Sequence, residues 1–180
     1  FSAMKNINKD FSDSIIKSNE VLNIVGRVLP VTLDEMNITA ELQNGYLVTE
    51  KSKIAEVVYD KVTKINRIYL NPTNCRPAPG VLEAIKEADC IIIGPGSLYT
   101  SVIPNLLVDG IVEAITKSTA KKIYVCNIMT QPGETDNYSV ASHVNALISH
   151  AGGKKIIDAV LVNDSLPDNI SEGYAKSGSI

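Results

Sequence analysis

Cys90-Ile91-Ile92-Ile93-Gly94-Pro95-Gly96-Ser97 joins an unbroken apolar run to a glycine turn. The run is too short for a helix and has no polar residue alternating within it, so it reads as a strand covered on both faces, the kind that builds parallel sheets. Working outward, Lys122-Ile123-Tyr124-Val125-Cys126 is a second such run, with Arg67-Ile68-Tyr69-Leu70 before it and Ile156-Ile157-Asp158-Ala159-Val160-Leu161-Val162 after it. The amphipathic stretches 79–88, 104–117 and 139–151 predict helices; Pro79 and Pro104 suit a first turn through their fixed φ, and Ser139 suits a cap. Strand and helix alternating in this way predict an α/β fold: an open, mostly parallel sheet with helices on both faces in a Rossmann-like, three-layer arrangement. In such sheets ligands bind beyond the carboxyl ends of the strands.

Ahead of this region, Ile38-Thr39-Ala40-Glu41-Leu42 and Tyr46-Leu47-Val48 flank Asn44-Gly45, which predicts a small antiparallel hairpin near residues 37–48 with a type I′ turn. Phe11, Ile15, Ile16 and Leu22 predict a helix beginning after Asp10. The opening Phe1-Ser2-Ala3-Met4 reads as the middle of an element, so the expectation is a fragment of a longer protein.

With 44% hydrophobic residues among 180, the chain can bury a core. A net charge of −3, two Phe and no Trp supply neither the basic field nor the stacking surface that nucleic acid requires, so that partner is excluded. No apolar run approaches the roughly 20 residues of a membrane-spanning helix and no leader pattern is present, so the expectation is a cytoplasmic protein with no membrane span. Cys75, Cys90 and Cys126 lack metal-ligand or disulfide spacing, and neither His143 nor His150 has a Cys, Asp or Glu at ligand spacing, so no metal site is expected.

The residues that carry chemistry follow two strands. After Ile93, Gly94 and Gly96 allow backbone N–H groups to approach an anion, and the hydroxyls of Ser97, Thr100 and Ser101 add donors ahead of a helix start. This is not a P-loop, since no Gly-Lys-Ser/Thr is present, and a glycine turn by itself also serves as a plain strand-to-helix connection. The next strand ends in the polar loop 127–136, where Asn127, Thr130, Gln131 and Thr135 offer neutral donors and acceptors. Glu134 in the same loop suits sugar hydroxyls, or, with Asp136, a Mg²⁺ ion accompanying a nucleotide, the one cofactor this reading admits. Arg76 is a conceivable phosphate clamp after the first parallel strand. The two histidines read as boundary residues of the helix after Ser139, with His143 nearer the loops and the better catalytic candidate.

Ala88-Asp89, the segment 92–101, Ile103-Pro104-Asn105-Leu106-Leu107 and the segment 127–135 together closely resemble the bacterial gluconeogenesis factor family, a relative of 2-phospho-L-lactate transferase. The resemblance covers residues 1–174, and Val25-Gly26-Arg27-Val28-Leu29-Pro30 fits it. It implies a cytoplasmic protein that supports cell shape and wall synthesis during gluconeogenic growth and binds nucleotide-sugars of the UDP-N-acetylglucosamine type. Carried over, the 94–101 turn lies in the ligand cleft with Asn127 and residues 130–135 facing it. Members of that family begin with a strand and a Gly-Gly-Gly-Thr-Gly phosphate loop that this chain lacks, so 1–180 is expected to be a single α/β domain forming the C-terminal part of a larger nucleotide-binding domain. Where the transferase carries Pro-Ser-Asn, this chain has Pro95-Gly96-Ser97, which weakens the expectation of the same reaction. A binding and regulatory role that breaks no bond is the first expectation; the alternative is transfer of a phospho-organic acid from a nucleoside diphosphate donor with Mg²⁺. Assembly of identical chains is left open.

Overall fold

A computed structural model describes residues 26–60 and 63–165; the helix expected after Asp10 lies outside the described residues. Among the described residues are two three-stranded sheets. In the first, β1 (Asn37–Leu42) lies between β2 (Leu47–Val48) and β3 (Ile65–Asn71), with both pairings antiparallel. In the second, β4 (Cys90–Ile93), β5 (Lys121–Val125) and β6 (Ala159–Leu161) run parallel in that order. Among the described residues five α-helices accompany them: α1 (Ile54–Asp60), α2 (Val81–Glu87), α3 (Ile103–Leu106), α4 (Ile111–Lys117) and α5 (Val140–His150). The chain is thus a mixed α/β fold with a parallel sheet, and buried side chains from both sheets, such as Leu42, Ile68, Ile93 and Tyr124, join in one apolar core.

Three local expectations are corrected. The run 67–70 was expected in the parallel sheet but pairs antiparallel with β1. Its pattern explains this: Ile68 and Leu70 are buried while Arg67 and Tyr69 face out, the alternation of a sheet with one wet face. The outward Tyr69 hydroxyl donates to Glu41 Oε2 across the pair at 2.7 Å. Arg76 therefore does not follow a parallel strand; it is exposed beside Asp34, 3.9 Å away. The hairpin turn is also not type I′, which needs positive φ at both central residues. Among the described non-glycine residues only Asn137 has positive φ; here Gly45 alone turns at +81°, and Gly45 N–H donates to Leu42 O at 2.8 Å, giving a three-residue loop with a glycine bulge. The helix expected over 104–117 is two helices, α3 and α4, broken at Gly110, whose φ of +78° no α-helix interior accommodates.

The predicted helix after Ser139 forms, and the Ser139 side chain accepts from the Ser142 N–H as its cap. Its last residue is not a boundary histidine. His150 is 6% exposed and joins α5 to the antiparallel sheet: Nε2 accepts from the Ile68 N–H at 3.0 Å, and Nδ1 lies 2.7 Å from Ala146 O. A carbonyl only accepts and an amide N–H only donates, so the ring is neutral with its proton on Nδ1. Burial lowers its pKa below the usual 6.5; the Ala146 carbonyl opposes that shift and Arg67 reinforces it. The unfolded chain then takes the proton first as pH falls, so this histidine's contribution to stability is full above about pH 6.5 and is lost as pH drops towards the folded value. The expected result is an unfolding midpoint that declines between about pH 7.5 and 5.5, with a shallower slope in His150→Gln, which keeps an acceptor for Ile68 without titrating. Denaturant melts across that range check it; an unchanged slope contradicts it.

Candidate functional site

Strands β4 and β5 pair in register, Ile93 opposite Tyr124, so the segments leaving their carboxyl ends are neighbours. Gly94 turns at φ +80°, and a Cβ there would lie 3.0 Å from the Val125 carbonyl, which is why this exit needs glycine. The two loops are then tied together by one side chain. Asn127 Oδ1 accepts from the Gly96 N–H at 3.2 Å, and Asn127 Nδ2 donates to Gly96 O at 2.9 Å. Only one orientation of the amide makes both bonds, so the clasp fixes the side chain as well as the turn.

A second tie lies deeper. Residues 98–102 form a π-helical turn in which the Ser101 and Val102 N–H groups both donate to Ser97 O at 2.9 Å. Thr100 Oγ1 donates to Glu134 Oε1 at 2.8 Å, and Gln131 Nε2 reaches the same oxygen at 3.1 Å. Glu134 is 5% exposed, and burial pushes its carboxyl above the ordinary range, while the Thr100 hydroxyl and the Tyr99 and Thr100 amides draw it back down. The amides at the start of this turn therefore face an internal acid.

Thr135 is fully buried, and its Oγ1 accepts from the Gln131 N–H at 2.8 Å. Asp136 Oδ2 accepts from the Gly133 N–H at 2.7 Å. Thr100, Glu134 and Thr135 thus support the loop from inside, whereas Gly94, Gly96, Ser97, Asn127, Thr130 and Gln131 are half-buried and Ser101 is exposed. Among the described residues no three His, Cys, Asp or Glu side chains converge as a metal site. No helix among them is long and apolar enough to cross a membrane as a single span.

Two hollows adjoin the loops. One, of about 460 Å³, is lined by Gly94, Pro95, Ser101 and Asn105 together with aliphatic side chains that include Ile92 of the β4 edge, which is 63% exposed. The other, of about 420 Å³, is lined by Asn127, Thr130, Asn137, Tyr138 and His143 together with Asn163 beyond β6. A larger open groove of about 710 Å³ runs along Asn37, Thr39 and Lys51 and contains none of the expected site residues. Tyr138 and Asn163 were not anticipated. The phenol of Tyr138 meets that of buried Tyr99 at 2.8 Å, a pairing 39 positions apart that no local spacing announces.

Over its whole length, residues 1–180, the chain matches the family described as 2-phospho-L-lactate transferase CofD. The chain belongs to this family. Within it, the chain is 46% identical over 174 residues to the gluconeogenesis factor of Bacillus subtilis, covering 96% of this chain and 53% of that one. It is 43% identical over 175 residues to the gluconeogenesis factor of Halalkalibacterium halodurans, covering 97% and 53% respectively. The crystal structure of a UPF0052 family member from Bacillus halodurans matches with a TM-score of 0.89 at 44% identity, over 97% of this chain and 55% of that one. This CofD-family chain therefore spans about half the length of the relatives it matches.

Proposed function

We propose that this chain forms one part of a cytoplasmic nucleotide-sugar-binding factor, acting as a gluconeogenesis factor that supports cell shape and wall synthesis under gluconeogenic growth. The diphosphate lies against Gly94, Gly96, Ser97 and Ser101, and the base and sugar lie along Asn127, Thr130 and Gln131. Thr100, Glu134 and Thr135 hold that surface in place. One observation carries this reading: the two-bond clasp between Asn127 and Gly96 sets two polar loops side by side at the strand ends where α/β folds take ligands. The names of the relatives support the physiological half of it.

Calorimetry of UDP-N-acetylglucosamine on the complete protein tests the reading. A Ser97→Ala, Ser101→Ala double variant is expected to bind about tenfold more weakly or worse, the worth of one to two lost hydrogen bonds. Unchanged affinity refutes the assigned turn. The family description favours one other reading, transfer of a phospho-organic acid from a nucleoside diphosphate donor with Mg²⁺. Glu134 and Asp136 are the acids of the loop, and Glu134 Oε1 and Asp136 Oδ2 are bonded to groups of the two loops themselves while Glu134 Oε2 is buried without a hydrogen-bond partner among the described residues, an arrangement that favours binding without bond cleavage. Release of free nucleotide from such a donor in the presence of Mg²⁺ would reverse that preference.

A further inference from the structure

His143 sits one turn into α5 and is 3% exposed. Its Nδ1 lies 2.9 Å from Ser139 O. The carbonyl only accepts, so Nδ1 carries a proton, and in the neutral ring Nε2 is then a bare lone pair. That atom has no hydrogen-bond partner among the described residues and is closed to solvent.

Buried polar atoms are nearly always satisfied, and an unmade bond costs on the order of 1–3 kcal/mol, so one left bare on a residue that lines a polar cavity asks for a partner. The cavity is the one of about 420 Å³ that His143 shares with Asn127, Thr130, Asn137, Ser139 and Asn163. It lies where β5 and β6 end, next to the clasped loops. Tyr138 meets the imidazole edge-on, with ring centroids 5.5 Å apart, and helps to hold its plane.

We propose that His143 Nε2 is the acceptor that reads a neutral N–H or O–H donor on the bound nucleotide, which makes it a specificity-determining residue of this site. The inference rests on the nucleotide-binding reading above. An imino N–H of a base or a hydroxyl of a sugar satisfies the lone pair, whereas a phosphate oxygen or a carbonyl is repelled by it. Nε2 is closed in this structure, so the contact requires the cavity lining to open as the ligand enters. A ligand lacking the donor leaves the atom bare again, and that asymmetry is what discriminates.

The test uses the complete protein and two substitutions that separate the two ring nitrogens. His143→Asn keeps an N–H within reach of Ser139 O but has no atom at the Nε2 position; His143→Gln places an acceptor near that position. The expected result is about a tenfold loss of affinity for UDP-N-acetylglucosamine in His143→Asn, with most of it recovered in His143→Gln and thermal unfolding little changed. A parallel arm with UDP locates the donor: loss there too places it on the base or ribose, and loss with the sugar nucleotide alone places it on the hexosamine. Histidine ¹⁵N spectra of the wild type read the ring directly, with Nε2 unprotonated in the free protein and its resonance moving on binding. Equal affinity of His143→Asn and wild type, or a proton found on Nε2 of the free protein, overturns this inference alone. Failure of the wild type to bind either nucleotide overturns the nucleotide reading and this inference with it.

Discussion

Gly133→Ala is expected to destabilise the protein by about 2–5 kcal/mol and to abolish ordered packing of the 127–136 loop. Two costs add at this position. The backbone turns at φ +76°, which costs any side-chain-bearing residue roughly 1–2 kcal/mol. A Cβ would also lie 2.7 Å from Ala55 Cα and 2.8 Å from the Ala55 carbonyl carbon, and closer still to its oxygen, so either the loop or the start of α1 must move. Backbone cannot rotate away as a flexible side chain can, and overpacking of this kind costs about 1–3 kcal/mol more. Gly45→Ala is the control: φ there is +81° but nothing lies within 4 Å of the added carbon, so only the first cost applies. Denaturant unfolding of both variants separates the contributions; equal losses would mean that the Ala55 contact yields freely. Displacing Gly133 also shifts Glu134 from Thr100, so weaker ligand binding is expected alongside the lost stability.

Asn127→Ala is expected to lower stability by about 2 kcal/mol and ligand affinity by tenfold or more. It removes both bonds to Gly96 at once and leaves a half-buried N–H and C=O without their partner. Asn127→Asp discriminates between a mere spacer and a clasp. Its carboxylate still accepts from the Gly96 N–H, but its second oxygen then faces the Gly96 carbonyl, and its charge opposes an anionic ligand. For stability Asp is expected to lie near or below Ala, and for binding it is expected to be the worse of the two. Calorimetry and thermal melts of the pair check this order. An Asp variant that binds as well as wild type would remove the clasp from the account.

How much of this was legible in the sequence depended on whether the signal was local. The run 90–93 as a parallel strand, its glycine exit, the loop after Val125 and the Ser139 cap each carry their cause within a few residues and were placed correctly, but the expected cover on both faces of that strand is not found: Cys90 and Ile92 are exposed at the sheet edge. The partner of 65–71 was not legible, because pairing with 37–42 is a long-range choice, although the outward Arg67 and Tyr69 already spoke for one wet face. The break at Gly110 was missed because a glycine within an apolar stripe reads equally as tolerated or as a stop until its φ is known. Helix α1 escaped notice although its residues Ile54 and Val58 are buried; its short stripe follows three exposed residues, Lys51, Ser52 and Lys53.

The candidate site residues divide along the same line. Sequence marked the two loops as candidates by their glycines, hydroxyls and amides, yet it did not foresee that Thr100, Glu134 and Thr135 turn inward while Ser101 turns out. Polarity marks a residue as hydrogen-bonding without saying with what, and here the partners of Thr100 and His150 lie 34 and 82 positions away. Both histidines look like edge residues by helical spacing, yet both are buried, and for His150 the contact that makes it a core group is the distant Ile68 N–H.

Crystals of the complete protein grown with UDP-N-acetylglucosamine would measure the central claim directly. The account predicts diphosphate density against Gly94, Gly96 and Ser97, with the rest of the ligand running past Asn127 towards His143. Ligand density along the Asn37 and Lys51 groove, or anywhere that leaves both loops uncovered, would contradict it.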